Sequence, residues 1–194
     1  MAEENDVEDF SFEEMLKAAV KAEINAREVY EHMAGRVDNF VMSERFEFLA
    51  GEEKKHEGFL RNVYQSVGSR GDLETPEETP VPLPYIRYGD DIDESEIIEQ
   101  AMDAEIASRD FYQKMAEKAD DAGLQRNPKK LLNYLAGMEQ NHYEILKEEF
   151  NNYKIKLKQT FYLEILTKNK YKKELLNLKE ELQLLKRVAE LKLK

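Results

Sequence analysis

A glutamate followed later by a Glu-x-x-His motif occurs twice in this 194-residue chain, as Glu23 with Glu53-x-x-His56 and as Glu105 with Glu139-x-x-His142. Residues three apart on an α-helix are separated by roughly 60° about its axis, so Glu53 and His56 project to one side, as do Glu139 and His142. Four carboxylates and two imidazoles can therefore face one axis from four helices. Four ionised carboxylates crowded in a core would repel and be driven to protonate. Two divalent cations cancel all four charges and leave the imidazoles neutral. The chemistry expected is that of a carboxylate-bridged dinuclear metal centre, with Glu23, Glu53, His56, Glu105, Glu139 and His142 as ligands. Oxygen and nitrogen donors without thiolate suit iron or manganese, and zinc also binds such a set.

A single Glu-x-x-His on a charged helix is ordinarily a solvated coincidence; the duplication around it is what gives this one weight. The run from Ala19 to Arg27 matches Ala101 to Arg109, and the copies stay in register through Tyr30/Tyr112, Met33/Met115 and Ala34/Ala116. Leu49-Ala50-Gly51-Glu52-Glu53-Lys54-Lys55-His56 then matches Leu135-Ala136-Gly137-Met138-Glu139-Gln140-Asn141-His142. A duplication that preserves helix packing without metal is the alternative. Tyr30 lies within about 20° of Glu23 on a helix, and Tyr112 within the same angle of Glu105. These two tyrosines either fill the core or donate hydrogen bonds that orient carboxylates. Glu52, Glu57, Glu144 and Glu148 lack complete repeat counterparts and are read as surface charges. His32, half a turn away from Glu23, is read as a surface histidine.

The elements that must position these residues are helices. Ser11 caps the first, Glu14 closes a capping box, and Phe10 with Met15 can form a hydrophobic staple. Apolar residues at helical spacing carry this helix to about residue 37. A second helix is expected from about Asn39 to Val67, stopping at Gly68. Residues 69–94 hold Pro76, Pro80, Pro82 and Pro84 in a mostly acidic stretch that cannot continue a helix. A crossover along a bundle explains its length, and makes helices two and three parallel. Helix three is expected from Asp93 or Ser95 to about Asp121, with Gly123 after it. Asn127 as cap and Pro128 open helix four, which should reach at least Asn151. The fold class predicted is all-α: a four-helix bundle of two duplicated hairpins over residues 1–153, plus a helical extension over 154–194.

The composition agrees. Charged residues make up 36% of the chain, and it contains neither Trp nor Cys; disulfides, thiolate nucleophiles and iron–sulfur clusters are thereby excluded. Residues 154–194 hold twelve Lys/Arg against five Glu, so with a total of −12 the first 153 residues carry −19. A body this acidic disfavours nucleic acid and attracts cations. The amino terminus lacks the basic and apolar regions of a signal peptide, and no 18-residue apolar stretch occurs, so the expected location is the cytoplasm. In the basic extension Tyr171, Leu175, Leu178, Leu182 and Leu185 alternate four and three apart. A fifth helix that makes a homo-oligomer is expected there. Adsorption to an anionic membrane and a disordered tail are the rivals.

Residues 10–152 resemble the ferritin-like superfamily and, within it, the rubrerythrin family. The six candidate ligands look like that family's di-iron residues, Tyr30 and Tyr112 match tyrosines near its irons, and the long link looks like its crossover. The resemblance implies two irons and reduction of hydrogen peroxide or dioxygen, with electrons from an external donor protein. Relatives that oxidise ferrous iron for storage make ferroxidase activity the alternative, and a structural protein with a vestigial or zinc-filled site is the third. Two departures stand out. The family's rubredoxin-like Cys₄ domain has no counterpart in a chain without cysteine, and the additional glutamate it uses three residues after Glu105 is here Ser108.

Overall fold

The computed structural model of the chain describes residues 10–67, 71, 73–75, 77, 81, 85–121 and 127–192, with side chains as far as residue 184. Four helices follow in order: α1 (Phe12–Arg36), α2 (Phe40–Ser66), α3 (Glu94–Asp121) and α4 (Lys129–Lys192). Among the described residues there is no strand, and no helix is long and apolar enough to cross a membrane. The chain divides into two compact units, Met1–Phe150 and Asn151–Lys194. The first is the expected all-α bundle.

Each helix begins where a side chain can satisfy its unpaired amides. The Ser11 hydroxyl accepts from the Glu14 amide at 3.2 Å while the Ser11 amide donates to Glu14 Oε2 at 2.8 Å, which completes the capping box. Asn39 accepts from the Val41 and Met42 amides. Asp93 accepts from the Ser95 amide at 2.8 Å, and Asn127 from the Lys129 amide at 2.8 Å. Phe10 packs against the core that holds Met15. Gly68, Gly123 and the four prolines of the link, to which chain breaks were assigned, lie outside the described residues.

Polar contacts at the helix ends set the topology. The Tyr64 hydroxyl, late on α2, donates to Glu13, early on α1, at 3.3 Å. Arg36, at the end of α1, lies 3.8 Å from Glu94 at the start of α3 and donates to the Gly89 carbonyl at 2.7 Å. So α2 ends where α1 begins and α3 begins where α1 ends; the link spans the bundle and α2 runs parallel to α3. Arg61 holds the link at the Leu73 carbonyl (2.8 Å) and the Thr75 hydroxyl (3.1 Å). Leu73, Val81 and Ile86 are buried along it. Leu16, Val20, Leu60, Met115 and Leu132 form the dry core between the helices.

The extension departs from expectation. Helix α4 reaches past Asn151 to Lys192, so among the described residues the extension is helical as part of α4 and not as a separate fifth helix. No glycine or proline follows Gly137, and an asparagine costs a helix well under about 1 kcal/mol. Within the second unit every side chain from Lys154 to Leu184 is exposed. Replacing Ser11 by alanine should lower the unfolding free energy of the protein by about 1 kcal/mol. Urea denaturation followed by circular dichroism measures it, and an unchanged midpoint would show that the cap contributes nothing.

Candidate metal centre

The structure brings Glu23 of α1, Glu53 and His56 of α2, Glu105 of α3, and Glu139 and His142 of α4 into one cluster, each no more than 3% exposed. Its atoms form two groups. His56 Nδ1 lies 3.1 Å from Glu53 Oε2, 3.0 Å from Glu139 Oε1 and 3.6 Å from Glu23 Oε2. His142 Nδ1 lies 3.0 Å from Glu53 Oε1, 3.5 Å from Glu139 Oε2 and 3.7 Å from Glu105 Oε2. Glu53 and Glu139 thus give one oxygen to each group, while Glu23 and Glu105 serve one group each. The imidazole rings lie side by side, 5.2 Å apart and 14° from parallel.

Tyr30 and Tyr112 act across the repeats. The Tyr30 hydroxyl on α1 donates to Glu105 Oε1 on α3, and the Tyr112 hydroxyl on α3 donates to Glu23 Oε1 on α1. Each bond engages one oxygen and leaves Oε2 facing a histidine. Both tyrosines are buried, and Tyr30 stacks on Phe46 at 6.3 Å between ring centroids.

The donors fit metal. Both oxygens of Glu53, Oε1 of Glu139, and both nitrogens of His56 and His142 are buried with no hydrogen-bond partner. Leaving one such group unsatisfied costs about 1–3 kcal/mol, and more when it is charged. Seven in one cluster require something to bind, and Glu53, His56, Glu139 and His142 can together hold a metal ion.

Without cations, protons must do the neutralising. Burial, then the charges of Glu139 and Glu53, push Glu23 well above the usual carboxylate range; burial with Glu53 and Glu139 does the same to Glu105. Burial also opposes ionisation of Glu53 and Glu139, but the adjacent imidazoles hold both below the ordinary value. Burial depresses the imidazoles, yet three carboxylates around each overcome it: His56 rises to about 12 and His142 is raised likewise. The metal-free cluster therefore shifts Glu23 and Glu105 toward the protonated acid and both imidazoles toward the imidazolium, and the six titrate as a set.

A cavity of about 160 Å³ opens on the carboxylate side, where Glu23, Glu53, Glu105 and Glu139 line it with Ala26, Ser108 and Ile86. Neither histidine lines it. The position of the missing family glutamate, Ser108, is thus part of this space, opposite its repeat counterpart Ala26. The link supplies Tyr85, Ile86 and Tyr88 to the cavity, residues the sequence reading passed over. Their signal was an aromatic cluster in an otherwise acidic, proline-rich stretch.

Several assignments need correction. Glu52 is buried and pairs with Lys55 on its own helix. Glu57 is half-buried and bridges Arg27 at 2.6 Å and Arg61 at 2.8 Å. His32 is half-buried, its ring 5.2 Å from that of Tyr88. Glu144 and Glu148 are exposed as expected. Glu149, missed although it lies seven residues after His142 on the same helix face, is buried against Arg45 at 2.8 Å.

Four helices, a long crossover and a paired Glu/His cluster at the bundle axis define a ferritin-like protein with a potential carboxylate–histidine metal site. The rubrerythrin family model matches residues 14–150 and again residues 96–192. The chain belongs to the rubrerythrin family. A hypothetical protein from Pyrococcus furiosus is 36% identical, with a TM-score of 0.63 over 75% of this chain and 92% of that one. A ferritin-like, diiron-carboxylate protein from Bacillus anthracis is 25% identical, with a TM-score of 0.57 over 75% and 98%. A dodecameric thioferritin from Bacteroides fragilis, related to bacterioferritin, shares the fold at 17% identity, with a TM-score of 0.56 over 81% and 93%. No curated protein matches the sequence.

Binding of divalent metal at the cluster should displace more than one proton per chain at neutral pH, from the imidazoles and from Glu23 and Glu105, which are shifted toward their protonated forms. The loaded state holds fewer protons, so apparent affinity should rise with pH. Calorimetric titration in buffers of different ionisation enthalpy counts the protons; release of one or none would contradict the charge assignment.

Proposed function

We propose that Glu23, Glu53, His56, Glu105, Glu139 and His142 hold two iron ions, and that the protein reduces hydrogen peroxide or dioxygen with electrons from an external donor protein. The observation that carries this reading is the pair of one-histidine groups sharing Glu53 and Glu139, with a small cavity on their carboxylate side. Reducing one hydrogen peroxide to two waters takes two electrons and two protons, and a pair of ferrous ions held by these six residues would supply the two electrons. The chain supplies position and environment. Tyr30 and Tyr112 hold their hydroxyl protons at Glu105 Oε1 and Glu23 Oε1, which turns the other oxygen of each carboxylate inward. Burial of all six donors keeps bulk water from competing for them. The cavity has room for a molecule the size of peroxide and too little for a bulky organic substrate. The resemblance to the family assigns the electrons to an external donor, and this sequence holds no cysteine with which to build a rubredoxin-type centre.

The acidity of the first 153 residues favours a second reading, in which the protein draws in ferrous iron and oxidises it for delivery or storage. The two readings differ in oxidant and in the fate of the ferric product.

Anaerobic loading should give two Fe²⁺ per chain, and Glu53→Ala or His142→Ala should lose at least one, by metal analysis after desalting. Full occupancy in a variant lacking all four glutamates would remove the assignment.

In stopped-flow mixing, the diferrous protein should oxidise faster with hydrogen peroxide than with air-level dioxygen. A clear preference for dioxygen, with accumulating ferric mineral, would select the iron-handling reading instead.

A further inference from the structure

The exposed part of α4 carries a third copy of a pattern found on α1 and α3. Glu23-Ile24-x-x-Arg27-x-x-Tyr30 and Glu105-Ile106-x-x-Arg109-x-x-Tyr112 recur as Glu164-Ile165-x-x-Lys168-x-x-Tyr171. The second match of the family model, residues 96–192, begins on α3 and runs through this segment. In the bundle the two complete copies face each other antiparallel, since Tyr30 bonds Glu105 while Tyr112 bonds Glu23. In both copies the Glu and Tyr of the pattern face the antiparallel neighbour, while Arg27 and Arg109 bond Glu57 and Gln140 on other helices.

The third copy sits in a seam. Leu157, Phe161, Glu164, Lys168, Tyr171, Leu175, Leu178 and Leu182 alternate four and three apart, the spacing of a two-helix interface. Leu157, Phe161, Tyr171, Leu175, Leu178 and Leu182 are each at least 50% exposed. We propose that this segment pairs antiparallel with the same segment of a second copy of the chain, centred near Thr167.

The polar seam residues decide the direction. In a parallel, in-register pair Glu164 would meet Glu164 and Lys168 would meet Lys168, each a buried like-charge contact. In an antiparallel pair Glu164 of one chain meets Lys168 and Tyr171 of the other, and the apolar residues of one end meet those of the opposite end. A charged pair at single seam positions fixes direction and register at some cost in stability. The two segments carry +7 each, so their association tightens as salt screens the remaining repulsion. The inference concerns assembly and stands independently of the iron chemistry.

The absence of native cysteine allows a direct test in the full-length protein. Thr167→Cys and Glu181→Cys occupy the same heptad position, fourteen residues apart. In the antiparallel pair the two copies of residue 167 are adjacent, whereas those of residue 181 are separated by about 40 Å at 1.5 Å per residue. A short bismaleimide should convert Thr167→Cys to covalent dimer and leave Glu181→Cys without cross-link, with metal content unchanged in both. The double variant Leu175→Lys/Leu178→Lys, placed in the Thr167→Cys background, should cut the dimer yield at least tenfold. Equal cross-linking at both positions means parallel pairing and overturns the proposal. So does the absence of cross-linking at Thr167→Cys, including the case in which the protein instead co-sediments with anionic phosphatidylserine vesicles.

Discussion

Four glutamate side chains meet at the axis of this bundle with almost no exposure to water, and the rest of the first unit is arranged around neutralising them. Burying one ionised carboxylate without a partner is costly, and four gathered within 3.7 Å of two imidazoles multiply the cost through mutual repulsion. The ligands come from every helix: Glu23 from α1, Glu53 and His56 from α2, Glu105 from α3, Glu139 and His142 from α4. Neither hairpin completes the cluster alone, since Glu139 reaches His56 and Glu53 reaches His142 across the halves. A bundle with one helix displaced would leave its carboxylates against apolar neighbours, so the cluster and the packing depend on each other. The two tyrosines tie α1 to α3 at the level where α2 and α4 provide the histidines.

This dependence explains what could be read in advance. The ligand pattern, the cap residues Ser11 and Asn127, and the proline-rich link are local signals whose chemistry survives in one dimension. The fold class followed, because two Glu/Glu-x-x-His sets have few ways to converge. Pairing across the chain was less legible. Spacing placed Tyr30 on the Glu23 face of its own helix, but the hydroxyl reaches Glu105 instead. A side chain that leans away from its own helix meets the facing one, and sequence spacing carries no information about that neighbour. Burial of Glu52 and His32 escaped for the same reason: each is covered by a partner or a packing contact rather than marked by its own neighbours in sequence. The continuity of α4 beyond Asn151 was not marked, because a change in composition is not a helix stop; a stop is commonly signalled by glycine or proline, and neither follows Gly137.

The duplication makes the ligands symmetric, yet the surroundings are not. Only one connection in the chain crosses the bundle, so only one side of the cluster receives Tyr85, Ile86 and Tyr88. Those residues lie over the space between α1 and α3, next to the four carboxylates, while the imidazoles on α2 and α4 stack on the other side. Small side chains at Ala26 and Ser108, one turn beyond Glu23 and Glu105, keep that space open. A larger residue at either position would fill it and would cover the carboxylate oxygens. The cavity therefore reaches the cluster from the side of α1 and α3. A small molecule arriving there meets carboxylate oxygens, since neither histidine lines that space, and Tyr85, Ile86 and Tyr88 of the link flank its path. The link's length, costly for a connection within a compact unit, finds its physical reason in this cover as much as in reversing the chain.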